Sequence, residues 1–547
     1  MDNAAIRENF ASSIYMAGSD TMKENILSSL PEDLARGHRE GDLHIHDLES
    51  FGRVYNCSTP DFYGYLDNQA YVCHSEYGII FEVFEKIKLL ITGLANCQAG
   101  GIGLGNFDID MGRFLAGMEI SPSNDSVYAL REAMMMFLNW INHTRTRFCR
   151  ETYYLTLNVG LATDFWGRKV TTVLIDCFMH SPKTFTKPNI VFKVSDRINR
   201  KPGCVNYDLY RQALACTARR MIPTYLLLDS APNQDCNPYN LNIMGCRTRV
   251  YDNVNGKKGT IGRGNVAYVS INLPRIALLS SDITDFYIRL GKIMDTCIRI
   301  LEIRRERLRE TSGKYMEYVF ANYIWRNCTT VDDIIMSGTY SIGFIGLSET
   351  VEVLTGAKFF ADDSGYRLAQ DIVKFMNRYV LQKRKKENMN YSLLATPGEM
   401  LSGRFCRLDQ KVCPHPIQEK GFYTNSFHVE VDSMVSLFDK IRLEGFFHTL
   451  CTGGSITYVE FTSAILENAE ALADAVQYAE ESGVSYLGFN FPLDICNHCG
   501  QDGTFDTCPY CGSSDILRLR RVSGYLENME YFTEGKKAEA KKRKANI

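Results

Sequence analysis

Long apolar runs are missing from this chain. No segment approaches the roughly 18 consecutive apolar residues that cross a bilayer. The opening MDNAAIRENFASSIYMAG has no basic stretch followed by an apolar one, so no secretory signal is read. Internal repeats and low-complexity linkers are also missing, until the mostly charged KKAEAKKRKANI at the end. Charge excess is missing too: 61 Lys and Arg face 64 Asp and Glu, a net charge of -3. That balance speaks against a general nucleic-acid binder. A cytoplasmic protein with no membrane and no nucleic-acid partner is therefore expected. In that compartment the 18 cysteines read as metal ligands, reactive thiols or buried apolar thiols, not as a disulfide framework.

What is present is a large folded chain. Its 547 residues, 45% hydrophobic and 23% charged, support a sizeable core or several domains. Helical periodicity is read over 79–95, over 283–301 with Asp282 as N-cap, and from Ser463 to Ser482, where Gly483 stops the helix. Lys383–Lys386 reads as the solvated end of another helix. Strands are read at Tyr154–Leu161, Ile190–Val194, Val266–Leu273 and Ser455–Phe461. This alternation means α/β, without separating an open sheet from a barrel. Near residue 490 small, polar, cysteine-bearing sequence replaces the periodic pattern. The chain is accordingly divided into a body at 1–485, a metal module at 486–515 and a C-terminal segment at 516–547, whose basic tail is read as solvated.

The metal module rests on four residues. Cys496-Asn-His-Cys499 and Cys508-Pro-Tyr-Cys511 form two CxxC knuckles eight residues apart, each followed by a glycine. Two such pairs close a tetrahedral thiolate shell around zinc and leave no open position, which makes the zinc structural. His498 is read as a turn residue. A redox dithiol is the weaker reading, since one knuckle would serve it. A zinc ribbon taken alone also suits a nucleic-acid-binding protein.

Shortly after the last of these cysteines comes Arg521-Val-Ser-Gly-Tyr-Leu526. By itself this string is a turn between strands. In its place near the C-terminus it resembles the glycyl-radical signature. Further segments share the resemblance: Gly41-Asp-Leu-His-Ile-His-Asp47 with Asn56-Cys57 following, Met244-Gly-Cys-Arg247, Ser270-Ile-Asn-Leu-Pro-Arg-Ile-Ala-Leu278, Thr396-Pro-Gly-Glu399, Arg404-Phe-Cys-Arg-Leu-Asp409 and Gly421-Phe-Tyr-Thr-Asn-Ser-Phe-His428. Their order is similar to that of the anaerobic (class III) ribonucleotide reductases. Pyruvate formate-lyase and its relatives share RVSGY but are longer and carry no zinc ribbon before it. The lyase itself uses an adjacent cysteine pair, whereas no Cys-Cys occurs here.

The resemblance implies a ten-stranded α/β barrel with a finger loop at its centre, a small zinc ribbon and a glycyl radical loop. It implies a radical on Gly524, a thiyl at Cys246, and Cys57 on the opposite face of a ribose. Asn272 would contact formate, the overall reductant. His46 and Asn56 would touch ribose or formate, while Thr396, Gly398, Glu399, Thr424, Asn425 and Ser426 would meet substrate phosphates. Arg404 and Arg407 are equally read as structural ion pairs. The implied partners are ribonucleoside triphosphates, formate, dNTP or ATP effectors, a second copy of the chain, and a radical-SAM activating enzyme. S-adenosylmethionine and the iron–sulfur cluster belong to that activase, since no CxxxCxxC occurs here.

Three departures from the family pattern stand out. Only about forty residues precede His44, too few for the ATP-cone of many relatives, a domain of roughly 90 residues, and inhibition by dATP through such a domain is expected to be absent. Gly398 stands where Ser or Ala is usual, and Arg150–Tyr154 replaces a more usual GGQ-P-like stretch. Gly101-Ile-Gly-Leu-Gly105 has neither Rossmann nor P-loop spacing, so nucleotide binding by that run is weakly supported.

Overall fold

The computed structural model describes residues 9–145, 152–311, 313–466 and 468–546. Ten strands form its centre, numbered here in chain order: β1 Cys57–Thr59, β2 Ile102–Leu104, β3 Leu155–Val159, β4 Asn189–Val194, β5 Thr224–Leu227, β6 Arg263–Asn272, β7 Thr339–Ile345, β8 Tyr391–Ala395, β9 Thr457–Glu460 and β10 Tyr486–Asn490. Strands β1 to β5 run parallel in sequence order. Strands β6, β7 and β8 are parallel to one another, as are β9 and β10. The two halves meet antiparallel at β1/β6 and β5/β10. A parallel bridge between Leu394 and Gly454 joins β8 to the lead-in of β9, completing the ring. Closure removes the exposed edges that an open sheet would present. The short strand Leu43–Ile45 pairs on β6 from outside this path.

Parallel neighbours require crossovers, and helices supply them. Helix 165–180 links β3 to β4, 207–220 links β4 to β5, 283–310 links β6 to β7, and 363–387 links β7 to β8. Asp282 caps the third of these through its carboxylate and Asp285 N–H, at 2.9 Å. Lys383 and Arg384 do more than face solvent, pairing with Asp295 and Asp252 at 3.3 and 3.4 Å. The helix expected from Ser463 begins only at Ala469, where Asn468 accepts the Ala471 N–H, because residues 461–466 form turns and coil. Gly483 does take the left-handed conformation just beyond its end, at φ 86°. Among the described residues no helix is long and apolar enough to cross a membrane.

Two boundaries need correction. Tyr486–Asn490 is the barrel strand β10, so the body runs five residues past 485. The expected break at 515/516 is not a structural one. Strands β11 Leu493–Cys496, β12 Asp502–Gly503, β13 Ile516–Val522 and β14 Tyr525–Asn528 form one antiparallel sheet in the order β12-β11-β13-β14. Metal knuckles and glycine loop therefore share β13. The tail is solvated on one face only: Lys541, Lys542 and Lys544 are exposed, while helix Glu534–Lys542 packs on helix Leu401–Val412, with Gly535 against Gly403. Beyond it, the Asn546 N–H bonds Glu460 O at 2.8 Å and its Oδ1 accepts from Glu460 N–H at 2.9 Å.

Candidate active site

Barrel strand β3 shows why the interior is built as it is. Leu155, Leu157 and Val159 are fully buried, and the alternate Thr156 and Asn158 are equally buried yet polar. A polar inner face makes sense only if something inside needs hydrogen bonds. That something is a hairpin, Ile243–Met244 and Thr248–Arg249, whose tip carries Gly245-Cys246-Arg247. Asn158 pairs with both the N–H and the C=O of Ile243 at 2.9 Å, and Thr156 donates to Gly245 O at 2.8 Å. Beneath the hairpin lies the glycine run of β2. A Cβ on Gly101 would stand 2.9 Å from Gly245 Cα, one on Gly103 2.9 Å from Met244 Cβ, and one on Gly105 2.8 Å from Asn242 Nδ2. The run is a bed for the hairpin.

At the tip three expected residues meet. Gly524, in the turn between β13 and β14 at φ 122°, lies so close to Cys246 that a Cβ there would be 2.4 Å from Cys246 Cβ. Only glycine fits. Burial pushes the Cys246 thiol up to about 11, against the opposing pull of Arg247, so it stays S–H at neutral pH. Cys57 shares one cavity with Cys246, also lined by Asp47, Asn56, Tyr154, Tyr268, Pro397, Glu399 and Tyr525. The Cys57 thiol donates to Asn56 Oδ1 at 2.7 Å and accepts from Gly101 N–H at 3.1 Å. Asn56 in turn donates to Asp47 Oδ2 at 2.6 Å, so the thiol is held in one orientation.

Other expected residues lie elsewhere. Asn272 does not line this cavity. It is fully buried, donates to Gly41 O and Asp409 Oδ2 at 2.9 Å each, and caps helix Leu273–Leu278. The expected formate contact is thus committed to holding chain segments together, as a strand-end amide does. His46 stands behind the wall, stacked on Tyr268 at 3.8 Å and bonded to Ser270 Oγ at 2.8 Å, which reaches Thr396 Oγ1 at 2.8 Å. Thr424 and Asn425 line a second cavity, on the far side of the glycine turn with Arg521 and Ser523. Ser426 lines neither. Gly398 joins the two loops, since a Cβ there would fall 1.8 Å from Asn425 Oδ1. Arg404 donates to His38 O, while Arg407 approaches Gly403. Arg150 and Glu151 lie outside the described residues.

Asp47, Tyr154, Tyr268, Tyr525, Arg247 and Arg521 were not singled out from the sequence. Asp47, Arg247, Arg521 and Tyr525 sit inside quoted motifs, and Asp47 takes a left-handed φ of 49°. Tyr154 ends the Arg150–Tyr154 stretch noted as a departure, and Tyr268 carries no such signal.

The four knuckle cysteines converge at the tip of the C-terminal sheet. Their sulfurs all lie within 4.8 Å of one another, with Cys496–Cys511 and Cys499–Cys508 both at 3.5 Å. Sulfurs ~2.3 Å from a tetrahedral zinc stand about 3.8 Å apart, so the quartet fits the ion.

Comparison with known proteins agrees with this geometry. Residues 2–545 match the family described as anaerobic ribonucleoside-triphosphate reductase. The anaerobic ribonucleoside-triphosphate reductase of Salmonella typhimurium is 31% identical over 94% of this chain and 78% of its own length. That of Escherichia coli is likewise 31% identical, over the same shares of the two chains. The fold is similar to the Thermotoga maritima anaerobic ribonucleotide reductase solved with dATP and CTP, at TM-score 0.75 and 14% identity over 98% of this chain and 92% of that one. It is also similar to the hydroxyproline dehydratase of Clostridioides difficile, at TM-score 0.62 and 10% identity over 96% and 84%. The chain belongs to the anaerobic ribonucleoside-triphosphate reductases, oxidoreductases of the glycyl radical type.

Proposed function

We propose that the radical of this reductase resides on Gly524 and reaches the substrate through Cys246. The observation that carries this reading is the contact of the Gly524 Cα with Cys246 at the tip of a loop opening on the cavity that holds Cys57. A hydrogen atom passes from Cys246 Sγ to the Gly524 Cα, with no net charge moved, and leaves a thiyl facing the cavity. The thiyl takes the 3′ hydrogen of a ribonucleoside triphosphate. Cys57, oriented by Asn56, supplies a hydrogen from the other side while the 2′ hydroxyl leaves as water. The triphosphate runs toward Pro397 and Glu399, at the N-terminal end of helix Leu401–Val412, which has no side-chain cap.

Formate is the overall reductant in this reading: ribonucleotide, formate and a proton give deoxyribonucleotide, carbon dioxide and water. Access supports it. Cys57 and Cys246 are only 6% and 8% exposed, out of reach of a partner protein's dithiol. A one-carbon carboxylate can enter. The quartet would hold a zinc that braces the C-terminal sheet. A separate radical-SAM activase generates the radical, dNTP or ATP effectors regulate a homodimer, and the cytoplasm is the site of action. The Thermotoga structures with dATP and CTP support the nucleotide part.

The test is anaerobic activation with an activase, S-adenosylmethionine and a reductant. The wild type is expected to show an EPR doublet that Gly524→Ala lacks. Cys246→Ser should keep the doublet and lose nucleotide reduction. Labelled formate should yield carbon dioxide in step with deoxynucleotide. A Cys246→Ser enzyme that still turns over sinks the assignment, and activity with thioredoxin alone removes formate.

A further inference from the structure

The two amides flanking Gly524 are both held by buried arginines. Arg521 donates through Nη1 to Gly524 O at 3.1 Å, and Arg247 through Nη2 to Ser523 O at 3.3 Å. Arg521 is 1% exposed and Arg247 is 0% exposed. Among the described residues neither has a carboxylate within ion-pair distance. Their other bonds go to neutral groups: Arg521 to Asn490 Oδ1 at 2.7 Å and to Met221 O, Arg247 to Ala395 O at 3.5 Å. Arg521 also lies over the Tyr458 ring at 5.6 Å, yet burying a guanidinium without an ion pair remains costly, and here the cost is spent at one turn. Both point at carbonyl oxygens conjugated to one carbon.

We infer that Arg521 and Arg247 are positioning residues for the radical, fixing the two amides over which the unpaired spin of Gly524 spreads and setting its distribution between them. The inference rests on the radical residing at Gly524. Loss of the Cα hydrogen leaves a centre that draws density from the Gly524 nitrogen and passes it to the Gly524 carbonyl. A guanidinium on Gly524 O strengthens the accepting side. A guanidinium on Ser523 O draws the same nitrogen lone pair the other way, into its own amide. The arginines thus act in opposition, and Arg247 also ties this balance to the loop presenting Cys246. Charge-assisted bonds are roughly twice as strong as neutral ones, which gives each arginine leverage over a transfer between two bonds of similar strength.

The experiment is high-field EPR on activated full-length protein, comparing wild type, Arg521→Lys and Arg247→Lys, with the more exposed Arg518→Lys as control. Arg521→Lys is expected to shift the g values and hyperfine splitting and to lower radical per subunit about tenfold, the scale of one charge-assisted hydrogen bond. Arg247→Lys should shift the splitting in the opposite sense. Should either variant misfold, wild type grown with 15N-arginine serves instead: electron–nuclear double resonance should find guanidinium nitrogen coupled to the spin. A wild-type doublet with no arginine coupling, or variants with unchanged spectra and yield, overturns the inference. No wild-type doublet with an activase shown competent elsewhere overturns the reading of Gly524 itself.

Discussion

At the scale of single residues, the proton on Cys246 matters as much as its position, because hydrogen-atom transfer needs a thiol and not a thiolate. Burial raises this group to about 11, above the ~8.5 of an unperturbed cysteine. The neutral thiol is therefore favoured by the folded state. Its stabilising contribution is complete below about pH 8.5 and is lost as pH rises toward 11. Ultraviolet thiolate absorbance, wild type minus Cys246→Ala, should show no ionisation through pH 9.5; a midpoint near 8.5 would contradict this. Gly398 yields a second expectation. With Asn425 Oδ1 1.8 Å and Ser402 Oγ 2.4 Å from where a Cβ would be, Gly398→Ala must turn both side chains aside. Overpacking of this kind costs about 1–3 kcal/mol. A lower melting temperature with a raised KM for nucleotide is expected, and relief by Asn425→Ala in the double variant would identify the clash.

Residue-level legibility followed the resemblance. Cys57, Cys246 and Gly524 could be placed together through the order of several family-like segments, since a lone buried cysteine or a glycine turn is chemically ambiguous. Asn272 could not be placed, since a cap and a ligand contact look alike in one dimension. Tyr154 and Tyr268 line the cavity through barrel curvature, which no local spacing encodes.

At the scale of elements, β13 carries the strongest consequence. It pairs with β11 of the metal knuckles on one side and with β14 of the glycine turn on the other. Structural zinc contributes about 10 kcal/mol or more to small modules. Chelation under reducing conditions is expected to melt the knuckles and loosen the Gly524 turn, while the barrel helices persist. Circular dichroism should change little as radical yield collapses; retention of full radical yield in metal-free protein would show the elements to be independent. Periodicity placed a helix start well where a side chain caps it, as at Asp282, although that helix runs on to Glu310 past the expected 301. It placed the start poorly at 463–466, where apolar spacing continues through turns and coil. The two misplaced boundaries have one cause. Composition changes where the metal ligands begin, but hydrogen-bonded pairing does not break there.

At the scale of the whole molecule, the chain returns to its own barrel. Burial alone would raise the Glu539 carboxyl, but Lys536 and Arg543 beside it hold it down to about 2. A depressed carboxylate stabilises the fold above its unfolded value of ~4.3, and that contribution is lost as pH falls from there toward 2. Helix 534–542 should therefore detach in acid before the barrel unfolds. Hydrogen exchange of peptides from 529–546 should accelerate between pH 4.5 and 3 relative to those of β3 and β4. Equal protection of both across that window would remove Glu539 as the cause. The α/β class was readable from alternation. Closure into a ring was not, because it depends on pairings such as Leu394 with Gly454 that lie sixty residues apart.

The glycines under the finger hairpin give the fold an unusual mutational signature. At Gly101 and Gly103 the contribution is an absence of atoms beside the loop that bears Cys246, while Gly105 faces the end of the Asn242 side chain. In a saturation scan selected for growth without oxygen, Gly101 and Gly103 should tolerate nothing and Gly105 should tolerate Ala, while Ile102 and Leu104 between them accept other apolar residues. Such an alternation marks, from survival counts alone, a strand that has another backbone lying across it.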